Sequence, residues 1–330
     1  MTRLIVVLLV GALAWMLWWA LGKGAYEQGL SAWIDQRRDD GWVADVGELR
    51  TAGFPNRFDT TLTDLRLADP ETGVAWTAPR LQFLSLAYKP HQVISVVEGP
   101  HRFSTPLGGV EITHDDARAS LFLKPETALG LDQSILVVEG LTLDADAGWK
   151  TRLASGRFAA ESVAATTNTY RLGAEIAGLE PSRALRRLLD PAGVLPDTVE
   201  ALRLDATLGF DKPWDRFAIE DARPQPTRIE LDDLSAQWGT ATFRATGTVD
   251  VDAEGYPTGE MTIRAVDWRK ILDMAVASGV LPDNAAGPLE RGLELMSGPR
   301  DTLDATIGFG GGFMRLGIIP IGPAPRIVLR

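Results

Sequence analysis

The chain has 330 residues, 45% of them apolar and 23% charged, which is enough to bury a sizeable core and excludes whole-chain disorder. Cysteine is absent, and with it disulfide scaffolds, thiolate zinc sites, iron–sulfur clusters and cysteine nucleophiles. A net charge of −11 argues against nucleic acid and anionic membrane surfaces as general partners.

Residues 4–21 (LIVVLLVGALAWMLWWAL) carry no charge. At 1.5 Å per residue such a helix is roughly 27 Å long, enough for a thin bilayer core. Arg3 and Lys23 bracket the run, and Trp15, Trp18 and Trp19 gather at its far end, where an aromatic belt belongs at the membrane interface. A cleaved signal peptide has a shorter apolar region ending in small residues. Ala20 and Gly22 fit that pattern, but the three tryptophans crowd the site, so residues 1–23 are read as an uncleaved anchor. In residues 24–41 the spacing of Tyr26, Leu30, Trp33 and Ile34 is helical, with Glu27, Asp35, Gln36, Arg38 and Asp39 opposite. This amphipathic helix either continues the anchor or lies in the interface. Its mixed charges favour packing against the start of the next domain.

From residue 42 to 330 the pattern is that of strands. Phe243, Ala245, Gly247, Val249 and Val251 alternate with polar residues, a turn comes next, and Met261, Ile263 and Ala265 alternate again. Similar runs at 58–67, 81–88, 92–97, 110–114, 117–123, 135–143 and 169–176 predict a largely antiparallel sheet. The alternation slips between Leu62 and Leu65 and again between Phe83 and Leu84, where bulges would bend the sheet. The fold class is therefore mainly β with short helices: an apolar N-terminal helix, then a long curved antiparallel sheet.

Between about residues 135 and 330 the sequence repeats itself. GVLPD occurs at 193–197 and at 279–283, and LDATLGF at 204–210 returns as LDATIGF at 303–309. A short helix precedes each GVLPD (181–189 and 268–277), and an inserted helix at 287–297 absorbs the difference in spacing. The reading is a duplicated hairpin–helix–strand unit. Its last strands place Leu204, Ala206, Leu208 and Phe210, and Leu303, Ala305, Ile307 and Phe309, on one apolar side, with Asp205, Thr207, Asp304 and Thr306 on the other. Periodicity leaves open whether the helices of the repeat, another sheet or a ligand covers that side; these eight are the candidate lipid-facing residues.

GFPNRF at 53–58 behind an anchor and a helix, the duplicated unit, and the ending IIPIGPAPRI at 318–327 together resemble the bacterial envelope proteins grouped as domain of unknown function 2125. That family has no established catalytic residues to carry over. The long hairpins behind one anchor are also similar in architecture to AsmA-like envelope proteins, which implies a curved sheet with an apolar concave face and phospholipid movement between membranes. This chain is much shorter than one that would cross a periplasm. The resemblance, with the short charged N-terminal tail and the acidic body, places the chain in the bacterial inner membrane as a single-pass protein with its body in the periplasm.

Chemistry-bearing patterns are absent. His91, His101 and His114 match no metal-ligand spacing, and no nucleophile elbow, P-loop or dinucleotide fingerprint occurs. Gly310, Gly311 and Gly312 precede a strand-forming FMRLG and fit a hairpin turn. The pairs Asp39–Asp40, Asp115–Asp116 and Asp232–Asp233 fit an acidic surface, and Arg183, Arg186 and Arg187 a solvated helix face. The expectation is a non-enzymatic protein with no cofactor and no metal. It partners the inner membrane and binds phospholipid or lipoprotein along an apolar sheet face. The alternative is a scaffold that recruits another envelope protein.

Overall fold

A computed structural model describes residues 1–330 except 165, 191–192, 221–222, 280, 282, 298–300, 318 and 330. Helix α1 (Thr2–Asp39) leads into β1 (Val43–Asp45), β2 (Glu48–Ala52), β3 (Arg57–Asp69), β4 (Val74–Leu86), β5 (Lys89–Glu98), β6 (His101–Thr105), β7 (Gly108–Thr113) and β8 (Asp116–Leu123). Then come β9 (Leu131–Ala145), β10 (Lys150–Ser162), β11 (Thr169–Glu180), α2 (Arg183–Leu189), β12 (Val199–Phe210), α3 (Phe217–Glu220), β13 (Pro226–Trp238), β14 (Ala241–Val251) and β15 (Pro257–Val266). The chain closes with α4 (Trp268–Ala277), α5 (Asp283–Ser297), β16 (Thr302–Gly310), β17 (Phe313–Leu316) and β18 (Ile319–Pro323). The protein is mainly antiparallel β with short helices behind one long apolar helix, as the sequence predicts. It divides into two compact units, Met1–Pro125 with Leu141–Gly148, and Glu126–Gly140 with Trp149–Arg330.

In the first unit, the segments 1–23 and 24–41, read separately from the sequence, run together as one continuous helix, Thr2–Asp39. Its first half is exposed along its apolar run from Leu4 to Leu21, save Trp15 and Trp19, which are half-buried against the rest of the first unit. Its second half lies on the sheet, where Ile34 joins Ala44, Leu62, Leu65 and Leu81 in a core flanked by Leu30, Trp76 and Phe83. Polar contacts fix the register of helix on sheet. The Thr51 amide donates to Glu27 Oε1 (2.7 Å), the Tyr26 hydroxyl donates to the Pro90 carbonyl (2.8 Å), and Arg38 Nε donates to the Ala44 carbonyl (2.7 Å). At Gly22 the helix passes so close to the buried Phe58 that a Cβ would stand 2.3 Å from the ring. Only glycine permits that approach.

The two slips in alternation have different causes. Leu62 and Leu65 both reach the core because Asp64, between them, takes a left-handed backbone conformation (φ 50) opposite Pro79, with no change of register. At residues 83–84 the ladder with β5 is regular through Ser85, so no bulge exists there, and the register shift falls after Ser85. Leu84 and Leu86 therefore lie on the sheet face away from α1, while Ser85 turns towards Tyr26.

In the second unit β10 to β18 form a meander, each strand paired with the next. The β11–β12 and β15–β16 connections lie at one end and carry α2, α4 and α5. α2 starts on a Ser182 cap that accepts from the Leu185 amide, and α5 begins at Asp283, four residues before the expected 287. In the first GVLPD, the buried Asp190 carboxylate accepts from the amides of Val194 (3.2 Å) and Leu195 (2.8 Å). Val280 and Pro282 of the second GVLPD, and Ile318 of the C-terminal motif, lie outside the described residues. At the other end the C-terminal segment straps three hairpin loops. The Ala324 amide donates to Gly312, the Ile327 amide to Gly255, and Gln225 exchanges two hydrogen bonds with the backbone of Leu329.

Candidate functional site

Register decides what the alternating strands of the second unit build together. Phe158, Ala174, Leu204, Leu234 and Ala245 stand opposite one another on successive strands from β10 to β14, and the row continues through Ile263 to Ala305. The neighbouring row runs from Leu172 through Ala206, Leu231, Gly247 and Met261 to Ile307. Both rows lie on the same face, so apolar surface is continuous from β10 to β16. A bulge protects that continuity. Asp232 interrupts the β12–β13 ladder and residues 232–233 the β13–β14 ladder, which turns Asp233 outward to Arg244 (2.7 Å) while Leu231 and Leu234 stay on the apolar face.

The opposite face is charged and paired. Arg171 holds Asp205 through two hydrogen bonds (2.8 and 2.6 Å), Arg228 pairs with Asp250 (2.8 Å), and Arg264 with Asp304 (3.6 Å). The hydrogen bonds from the Arg171 guanidinium hold the Asp205 carboxyl below the usual carboxylate range. Such exposed pairs contribute little stability, but they keep this face wet. A depression of about 470 Å³ on it is lined by Arg157, Glu161, Arg171, Glu175, Arg203 and Asp205.

The apolar face is covered unequally. At the helix end Trp268 and Leu272 of α4 and Leu289 and Leu293 of α5 pack on Ala265, Leu303, Ala305 and Leu316. Leu303 (3% exposed) and Ala305 (6%) are therefore filled by the chain's own helices, which corrects the expectation that they face a ligand. Ile307 packs at the margin of the same cluster. At the strapped end Phe210 stands edge-on to Tyr170 and Trp214, with centroids at 5.9 and 5.7 Å, and the Trp214 amide donates to the Tyr170 hydroxyl. Burial pushes the Tyr170 phenol up. Phe309 is half-buried opposite Gly259.

Between these ends the face is lined by strands alone. Ala206, Leu231 and Ala245 form its floor, and Leu204, Leu208, Phe243 and Met261 pack around them only half-buried, while Ile263 joins this band to the helix-covered cluster. Sequence reasoning named Leu204, Ala206 and Leu208 but missed the β14 and β15 members, whose alternation was legible while their register was not, and Leu231 of β13, whose run changes phase. The floor stays low at Gly247 (φ 152), where a Cβ would lie 2.4 Å from the Glu260 carbonyl, and at Gly259 (φ 144), where one would lie 2.3 Å from that of Thr248. A second apolar cavity, of about 350 Å³, lies between α2 and α4 and is walled by Leu189, Val194, Leu195, Leu272 and Met274.

A family model for uncharacterized proteins conserved in bacteria, domain of unknown function 2125, matches residues 19–325. The chain belongs to that family. The match begins inside α1 at Trp19, spans GFPNRF, the apolar face and α2 to α5, and ends within the C-terminal strap, so the DUF2125 unit includes the whole sheet and its helices and leaves out only the first half of α1 and the last residues. No curated protein and no solved structure gives a match.

Several of the remaining chemical candidates of this DUF2125 chain are structurally employed. Asp40 pairs with Arg37, Asp116 with Arg118, and Arg186 with Asp197 of the first GVLPD. Gly311 and Gly312 form the β16–β17 turn at φ 58 and 78. His101 and His114 lie with ring centroids 5.3 Å apart, and burial pulls the His101 pKa down. Among the described residues no group of three or more His, Cys, Asp or Glu is arranged to hold a metal.

Proposed function

We propose that this is a membrane-anchored, non-enzymatic protein of the bacterial cell envelope whose second unit binds an acyl chain along its apolar sheet face. α1 is its single inner-membrane span, and the body stands in the periplasm. The observation that carries this reading is the strand-only band of Leu204, Leu208, Phe243 and Met261, half-buried between two covered ends. Sheet faces in soluble domains are normally covered, and a continuous uncovered apolar surface marks a binding site. The row that crosses it from Phe158 on β10 to Ile263 on β15 extends about 24 Å at about 4.8 Å per strand. α1 supports the membrane half of the reading, being long and apolar enough to cross a bilayer with none of that apolar window buried. The two strand–helix–strand segments, β11–α2–β12 and β15–α4–β16, are read as a duplicated unit that widens the face.

The energetics suit transfer better than storage. Burying a chain of about sixteen carbons is worth on the order of 10 kcal/mol at about 0.8 per methylene against water. A lipid that comes from a bilayer leaves an equally apolar medium, so the net change is near zero. Native mass spectrometry of the full chain, extracted in mild detergent, is expected to show one co-purifying phospholipid per chain. A lipid-free chain with a stoichiometric protein bound instead would favour the scaffold reading.

A further inference from the structure

The GFPNRF segment and the β4–β5 turn meet α1 at the level of its tryptophans. The indole N–H of Trp15 donates to the Pro55 carbonyl (2.9 Å), that of Trp18 to Ala87 (3.1 Å), and that of Trp19 to Arg57 (2.8 Å). Trp19 also stands edge-on to Phe54, with centroids 5.4 Å apart. Pro55 thus lies at the level of Trp15, and Ala87 at the level of Trp18.

The outward side of α1 remains apolar past that level. Met16, Leu17 and Leu21 are exposed, and the first charge is Lys23. Leu21 lies six residues beyond Trp15, or about 9 Å along the axis. If the sheet stayed clear of the bilayer, residues 4–14 alone would have to cross it. They span about 16 Å, roughly half of a hydrocarbon core of about 30 Å.

The loops themselves have the matching chemistry. Phe54 (52% exposed), Tyr88 (59%) and Leu86 show apolar or amphipathic side chains at this end, with Lys89 and Arg57 beside them. The opposite ends of β3 and β5 carry Asp69, Glu71 and Glu98. Aromatic rings flanked by basic residues suit the boundary between acyl chains and phosphates.

We propose that residues 53–57 and 86–90 form a second membrane contact, seated in the headgroup–hydrocarbon interface of the bilayer that α1 crosses. The tryptophans then have a double role: they lie at the boundary and also bolt the sheet to the helix at that depth. This rests on reading α1 as a span, and the test separates the two.

The absence of cysteine permits single-cysteine labelling of the full chain. Phe54→Cys, Tyr88→Cys, Leu9→Cys and Leu107→Cys would each carry a nitroxide in vesicles of phosphatidylcholine and phosphatidylglycerol. Leu107 is 95% exposed in the β6–β7 turn, beside the first residues of β4 and away from Leu86. Collision with oxygen is expected to exceed collision with a water-soluble nickel chelate severalfold at 9, 54 and 88, and to fall below it at 107. Positions 54 and 88 behaving like 107 while 9 stays in lipid would overturn this proposal alone. Position 9 behaving like 107 would overturn it together with the span.

Discussion

Replacing Trp268 with alanine is expected to destabilise the second unit by about 3–5 kcal/mol, the cost typical of deleting a fully buried tryptophan. Trp268 is 2% exposed and opens α4, where it meets Leu272, Leu289 and Leu293 from the helices and Leu303 and Ala305 from β16. The Arg269 guanidinium lies over its ring at 4.4 Å. Without the indole, α4 and α5 lose their common anchor and the greasy end of the sheet meets water. The loss is read from urea denaturation of the full chain in mild detergent. A change below about 1 kcal/mol would mean that the site collapses onto the cavity, or that the helices are held elsewhere.

Leu208→Asp is expected to reduce co-purified phospholipid at least tenfold while the protein stays folded. Tenfold corresponds to about 1.4 kcal/mol, a modest demand for a carboxylate placed against an acyl chain. The protein tolerates the change because Leu208 is half-buried at the edge of the strand-only band and its new charge can reach water. Leu208→Trp supplies the independent check, since it blocks the same space without introducing a charge. Both variants should lose lipid. Retention of lipid at the parental level by two folded variants would place the acyl chain somewhere other than this band.

The contrast between Leu208 and Leu303 shows how far the sequence carried. The two occupy the same kind of alternation in LDATLGF and LDATIGF, and their shared apolar face was legible from period two alone. That Leu303 lies beneath α4 and α5 while Leu208 does not depends on where helices dock, which periodicity does not encode. β13 was illegible for a different reason. Its run PTRIELDDLSAQW changes phase at Asp232–Asp233, and only the bulge reconciles Ile229 and Leu231 with Leu234, Ala236 and Trp238. β10 was missed because its apolar residues are sparse, Leu153 and Phe158 being separated by alanine, serine, glycine and arginine. The long apolar helix was plain from composition. The hydrogen bonds of Trp15, Trp18 and Trp19 were not, since their acceptors are backbone carbonyls 38 to 69 residues away.

The central claim is that one face of the second unit's sheet meets lipid and the other meets water. Phe243 and Arg244 are neighbours in β14 whose side chains point to opposite faces, one into the strand-only band and one to Asp233. A photoreactive phenylalanine analogue placed at each position in the full chain, and irradiated in the bacterial membrane, asks which face lipid touches. A phospholipid adduct is expected at 243 and none at 244. Adducts at both, or an adduct at 243 only to another protein, would contradict the claim.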